Sequence, residues 1–184
     1  MSVRKPTLDE LNAGLAHIEG SPKNDGVLRL IVRRPRVGAR EVLAEAQLDP
    51  AVGLVGDTWH MRSSPRRQGR PPRPDTQINI MNARAIALVA QSEDRWALAG
   101  DQLYLDLDLS DENLPAGTRL ALGTAVIEVT AEPHTGCRKF SARFGVEATK
   151  FVNSKEGRRL HLRGINAKVV QAGTIRVGDV AEKI

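Results

Sequence analysis

Thr118-Arg119-Leu120-Ala121-Leu122-Gly123-Thr124-Ala125-Val126-Ile127-Glu128-Val129-Thr130 is the stretch that decides the fold. Two short apolar runs flank a Gly-Thr turn, which reads as strand, turn, strand. Similar segments lie on both sides. Gln102 to Leu109 alternates strictly, with Leu103, Leu105, Leu107 and Leu109 on one face and Gln102, Tyr104, Asp106 and Asp108 on the other. That pattern predicts a strand with one polar face. Gln77–Met81 alternates in the same way, and Val27–Val32 is a further strand. Glu41–Leu48 reads as a strand, although its Ala and Glu content leaves a helix open. His161–Val170, Thr174–Val177 and Asp179–Ile184 complete the set. Many short strands with closely spaced turns predict a barrel or sandwich, not alternating βαβ units.

Three segments read as helices. Residues 8–18 place Leu8, Leu11, Leu15 and Ile18 on one face, with Thr7 and Glu10 forming a capping box and Gly20-Ser21-Pro22 as the stop. Asn82 caps a helix through about Ser92. Residues 138–152 look helical, with a break near Phe144-Gly145. The reading divides the chain into an N-terminal helical extension, 1–25, and a β-rich domain, 26–184.

Composition narrows the function. The 184 residues suit one domain of ordinary size, and 41% hydrophobic with 27% charged residues is normal for a soluble protein. Aromatics are only 3%, which argues against stacking platforms for single-stranded nucleic acid. The N-terminus lacks a continuous apolar run, so neither a signal peptide nor a membrane span is expected, and the location expected is cytoplasmic. The net charge of +5 is local: residues 62–73 carry five arginines and no acid, and without them 22 basic residues face 22 acidic ones. Prolines at 65, 71, 72 and 74 forbid a helix or a central strand there, so 62–75 is expected to be an exposed Arg/Pro-rich loop. Such a loop is either plain solvated surface or a clamp for a phosphorylated ligand. Nucleic acid is the weakest reading, because no recognised binding motif accompanies the charge.

The single cysteine stands in Glu132-Pro133-His134-Thr135-Gly136-Cys137-Arg138-Lys139-Phe140. It can form no internal disulfide, and no Cys-x-x-Cys exists for a structural zinc site. Cationic neighbours stabilise a thiolate, the form that attacks, carries sulfur or binds metal. A small buried hydrophobe is the bland alternative. His134 is a candidate base or a loop hydrogen-bonder; Arg138 and Lys139 supply positive potential or are merely exposed. Asp57, His60, Asn79 and Asn113 are further candidates. Asp57 with His60 suggests a metal pair, but two ligands do not make a site. Arg158, Arg159, His161 and Arg163 form a second basic cluster, a polar strand edge or one wall of an anion pocket.

The ordered set of motifs resembles the MOSC domain, named for the C-terminal domain of molybdenum cofactor sulfurase. The pieces are Gly53-Leu54-Val55-Gly56-Asp57, Asp111-Glu112-Asn113-Leu114, Leu122 to Thr130, Cys137, Arg163-Gly164-Ile165-Asn166-Ala167 and Gly173 to Asp179. The lead-in His134-Thr135-Gly136 departs from the arginine and proline commoner in that family. The resemblance, over about residues 26–184, implies a mostly β, β-barrel-rich fold with a few short helices. It implies a cysteine that carries sulfur as a persulfide or touches the molybdenum of a molybdenum-pterin cofactor. It makes Cys137 and His134 the candidate catalytic residues. Candidate cofactor contacts are Asp57, His60, Arg62, Asn79, Asn113, Arg138, Lys139, His161 and Arg163. The 184 residues hold no pyridoxal-phosphate desulfurase domain, so the expected partner is a separate sulfur donor such as a cysteine desulfurase. A non-catalytic module for an anionic or phosphorylated small molecule, with an inert cysteine, is the alternative.

Overall fold

A computed structural model describes residues 4–61 and 72–184. Arg62, Arg66, Arg67 and Arg70, and so most of the expected 62–75 loop, lie outside the described residues. The chain opens with α1 (Leu8–Ala13) and α2 (Leu15–Glu19). The expected capping box is present: Glu10 N–H donates to Thr7 Oγ1, and the Glu10 carboxylate accepts Thr7 N–H at 2.8 Å. The helix expected to run over 8–18 is split at Gly14, where a Cβ would stand 2.6 Å from Leu88 Cδ2. Close packing on a later helix thus overrides helical periodicity at that residue.

The strands are β1 (Gly26–Arg33), β2 (Glu41–Leu43), β3 (Glu45–Asp49), β4 (Gly53–Leu54), β5 (Ile78–Asn82), β6 (Leu103–Asp106), β7 (Arg119–Leu122), β8 (Ala125–Val129), β9 (Ile165–Gln171), β10 (Gly173–Arg176) and β11 (Val180–Lys183). Seven of them close into a barrel in the order β11-β7-β8-β9-β5-β6-β1, and the pairing of β1 with β11 completes the ring. Closure removes the exposed sheet edges that would invite association. β2 extends the barrel beside β1, and β10-β3-β4 form a smaller sheet. The hairpin quoted at the outset pairs as expected, Leu120 opposite Ile127 and Leu122 opposite Ala125.

One pair is parallel, β5 with β6. Parallel neighbours need a crossover, supplied here by α3 (Ala83–Ala90) and a 3-10 segment, Glu93–Ala99. Asn82 caps α3 as predicted, its Oδ1 accepting Ala85 N–H at 2.9 Å. The C-terminal half adds α4 (Arg138–Phe144), α5 (Val146–Asn153) and α6 (Lys155–Arg159), with the expected break at Gly145, whose φ is +101°. Helices and strands therefore occupy similar shares of the chain.

Two cores result. One fills the barrel with residues such as Leu28, Ile80, Leu105, Ile127 and Ala167. The other lies between the outer sheet face and the helices, with Leu11, Ile86, Tyr104, Phe140 and Phe151. This second core corrects the reading of residues 102–109. Gln102 and Tyr104 do not face water: both are fully buried, Gln102 accepting Asn79 N–H and donating to Gln77 O, and Tyr104 under the helical layer, where its Oη donates to Trp96 O at 2.8 Å. The last long strand also starts at Ile165, not His161. His161 takes φ +49° and Gly164 φ +112°, so residues 161–164 turn sharply before the strand begins.

One rim of the barrel gathers chain ends. Arg34 follows β1, Asn79 opens β5, Gly100 and Asp101 precede β6, Glu132 and His134 follow β8, and Arg163 and Asn166 flank the start of β9. Register ties them together: Asn79 lies opposite Asn166, and Gln102 N–H donates to Asn79 O.

Candidate functional site

Over that rim opens a cleft of about 1440 Å³. Cys137 stands on its wall as the exposed residue just before α4, with extended backbone. Two features fix it. Phe140 and Phe144 bury their rings under α4. The preceding Gly136 is clamped by Asn153, which accepts from Gly136 N–H at 2.8 Å and donates to its carbonyl at 3.0 Å. A Cβ on Gly136 would lie 2.9 Å from Val152 Cγ2, so the close approach requires glycine.

The thiol sits in positive potential. Partial burial pushes its pKa up, but the backbone N–H groups of Phe140 and Lys139, then the charges of Arg163 and Lys139, outweigh that and leave it below the ordinary thiol value. The sulfur makes no close capping hydrogen bond, so these amides act as oriented dipoles at longer range. Such an environment favours the thiolate over the thiol.

His134 lines the same cleft. Burial foremost, then the Arg163 and Arg34 charges, lower its pKa to about 4, against a smaller opposing pull from Asp101. Its Nδ1 is buried without a hydrogen-bond partner, and Asp101 Oδ1 lies 3.5 Å away. That separation is too long for a hydrogen bond of ordinary strength, and Asp101 is already committed to Arg163. The imidazole is therefore neutral near pH 7.

Two buried ion pairs form the floor. Arg163 donates from Nη1 to both oxygens of Asp101, at 2.7 and 2.9 Å, donates to Ala99 O, and stands over the Phe140 ring. Arg34 donates to Asp57 from Nε and Nη2, each at 2.8 Å, and to Asn79 Oδ1 and Gly100 O. Asn79 passes the chain on to Asn166 at 2.6 Å, and Asn166 to Glu132 O. Above the floor the walls carry Arg36, Arg40, Lys139 and Arg143. None of these four forms an ion pair among the described residues. Residues 1–3 and 62–71 contain no acid that could pair with them.

A family profile for the MOSC domain matches residues 73–182. This chain belongs to the MOSC domain family. The MOSC barrel also recurs in solved structures. The YuaD protein from Bacillus subtilis shares 16% identity over 86% of this chain and 94% of that one, with a TM-score of 0.63. YiiM from Escherichia coli shares 17% identity over 86% and 69%, with a TM-score of 0.54. YiiM from Geobacillus stearothermophilus shares 13% over 87% and 73%, with a TM-score of 0.52. At these identities the likeness speaks for the fold alone. No curated protein matches the chain.

The MOSC barrel brings together Cys137, His134, Asn79, Lys139 and Arg163, with Asp57 buried behind them as the partner of Arg34. The other candidates lie elsewhere among the described residues, and Arg62 lies outside them. His60 is exposed and Arg138 points outward on α4; neither lines the cleft. Asn113 braces a loop, donating to Asp108 O and accepting from Lys183 Nζ. His161 holds Leu109 O through Nδ1 at 2.7 Å. Of the second basic cluster only Arg163 reaches Cys137, since Arg159 pairs with Glu19 and Glu156, and Arg158 donates to Asn153 O. Arg34, Arg36, Arg40, Asp101 and Arg143 escaped the sequence reading. A buried arginine leaves no periodic signal, and these five come from three separate segments. No helix among the described residues is long and apolar enough to cross a membrane. None of them forms a cluster of three or more metal-ligating side chains, so Cys137 is a lone thiolate donor.

Proposed function

We propose that this MOSC protein is a cytoplasmic sulfur carrier whose Cys137 holds sulfur as a persulfide beside an anionic ligand. The observation that supports it best is the lone, exposed thiol on the wall of a cationic cleft, where Lys139 and Arg163 favour its ionised form. A thiolate attacks the outer sulfur of a donor persulfide, such as that of a cysteine desulfurase. The new S–S bond forms on Cys137, the donor's S–S bond breaks, and the donor leaves as a thiolate, with no net oxidation. Arg163 and Lys139 stabilise the attacking thiolate and the persulfide anion alike. His134 stays neutral beside the thiol and so lines the cleft without adding a further positive charge.

The cleft suits a molybdenum-pterin cofactor in charge and size. Arg163 Nε is buried and unpartnered in its wall, while Lys139 and Arg36 present donors to anionic oxygens. Cys137 is the thiolate donor for molybdenum there. Such a cofactor, when bound, supplies a thiophilic metal that accepts sulfur. The chain's own part is to hold the thiol, keep it ionised and balance negative charge.

The test is mass spectrometry after incubation with a cysteine desulfurase and cysteine. A gain of one sulfur on Cys137, removed by dithiothreitol and absent in Cys137→Ser, is expected. Loading no greater than that of a denatured control would refute the carrier reading and leave a binding module with an idle thiol.

A further inference from the structure

Two arginines of the cleft are held side by side with no negative group between them. Arg40 comes from the loop between β1 and β2, Arg143 from the last turn of α4. Their guanidinium groups converge on Gly100: a Cβ there would lie 3.3 Å from Arg40 Nη2 and 3.7 Å from Arg143 Nη1. Gly100 has φ +91°, a conformation that favours glycine, so the backbone keeps this space open.

The hydrogen-bond acceptors that the protein offers these guanidinium groups are neutral carbonyls. Arg40 Nη1 donates to Ala39 O and Arg143 Nη1 to Leu98 O, both at 2.6 Å. Arg40 Nε is buried with no hydrogen-bond partner among the described residues. Burial, Arg143 and Arg34 all act against the charge on Arg40. Two converging cations, one of them half-buried, destabilise the empty protein; an anion between them reverses that sign.

We propose that Arg40 and Arg143 form a subsite for a tetrahedral dianion, the phosphoryl or sulfuryl end of the ligand that occupies the cleft. Guanidinium forks match two oxygens of such a group, and two forks match its double charge. Arg143 lies six residues after Cys137, roughly 9 Å along α4 at the helical rise. A ligand that reaches both is an extended small molecule with a charged end, not a bare ion. The inference rests on reading the cleft as a ligand site, and is independent of sulfur chemistry at Cys137.

The experiment titrates the protein with inorganic phosphate at a pH of about 8, where phosphate is a dianion, by calorimetry and thermal shift. Sulfate forms a second arm and chloride at equal ionic strength a third. Phosphate is expected to bind and to raise the melting temperature of wild type and of Cys137→Ser alike. Arg40→Gln and Arg143→Gln should each lose about tenfold or more in affinity, and Arg40→Lys should fall between. Arg176→Gln, whose exposed side chain pairs with Glu45 on the smaller sheet, should bind as wild type. Should Arg143→Gln fail to fold for want of its Leu98 contact, the two Arg40 variants decide the matter. Equal binding by Arg40→Gln and wild type, an equal shift with chloride, or no phosphate binding would overturn the subsite. A relative response to sulfate tells which dianion it prefers. Phosphate binding without persulfide on Cys137 would instead count against the carrier reading alone.

Discussion

Asp57→Asn is the substitution for which the structure yields the firmest magnitude. The Asp57 carboxylate accepts four hydrogen bonds: Arg34 Nε and Nη2 at 2.8 Å, Arg34 N–H at 2.9 Å and Trp59 N–H at 2.8 Å. Arg34 is 2% exposed and Asp57 1%. The amide removes the charge and turns an NH2 toward a donor, leaving a buried guanidinium uncompensated. Breaking one side of a buried pair costs about 3–5 kcal/mol. For a chain of this size each kcal/mol moves the melting temperature by about 2–4 °C, so a fall of roughly 6–20 °C is expected. Urea denaturation with an unchanged m-value is the assay. Arg33→Gln is the control; its exposed pair with Glu41 at 2.7 Å is worth at most about 1 kcal/mol. The pH dependence has a definite sign. Burial pushes Asp57 up, but Arg34 and the backbone N–H groups of Arg34 and Trp59 prevail and hold it below the usual carboxylate value. Its stabilisation is therefore complete above the unfolded value of about 4 and is lost as pH falls through the folded one. The gap between wild type and Asp57→Asn should close in acid. A difference within about 1 kcal/mol at neutral pH, or a gap that widens on acidification, would refute the account of the floor.

Other outcomes follow from single contacts. The alkylation rate of Cys137 with iodoacetamide should rise through a midpoint below that of a free thiol, and Lys139→Glu should move the midpoint upward. The His134 imidazole should titrate near 4 by NMR. Because that value lies below the unfolded one of about 6.5, stability worth up to about 3 kcal/mol is present above pH 6.5 and drains away toward pH 4; a midpoint above 6 would contradict the buried neutral ring. Gly164→Ala should cost more than about 1–3 kcal/mol in urea denaturation, since it combines φ +112° with a Cβ 2.2 Å from Ile80 O.

The barrel was legible because it depends on local pattern. The hairpin at 118–130, the alternation at 102–109 and the break at Gly145 are properties of a few adjacent residues. The errors came where tertiary packing decides. Tyr104 reads as a polar-face residue until a helical layer covers it, and the break at Gly14 coincides with close packing on Leu88, which only the fold brings there. The site divides the same way. Cys137 stands out by its neighbours in sequence, as does Lys139. Arg34 and Asp101 do not, because their partners lie 23 and 62 residues away along the chain. The basic stretch at 62–73 drew attention as the obvious charge reserve, yet the described cleft takes Arg34, Arg36, Arg40 and Arg143 from ordinary-looking segments and only Arg73 from that stretch.

The thiol and the arginine pair sit in one cleft, so their charges are coupled. At a separation on the order of 10 Å or more, two unit charges interact by at most about 0.5 kcal/mol in a water-like medium, and a dianion with a thiolate by at most about twice that. Linkage makes the effect reciprocal. A bound dianion raises the thiol pKa, and the ionised thiol weakens dianion binding by the same factor, at most about fivefold. Phosphate should therefore slow alkylation of Cys137 at fixed pH. Cys137→Ser should bind phosphate at least as tightly as wild type, with the advantage growing as pH rises through the thiol midpoint. A persulfide, which ionises more readily than a thiol, would strengthen the antagonism. A ligand with a charged end would then be held less tightly by the sulfur-loaded protein than by the unloaded one, and delivery of the sulfur would tighten its grip. Alkylation that phosphate leaves untouched would place the arginine pair too far from the sulfur for this coupling.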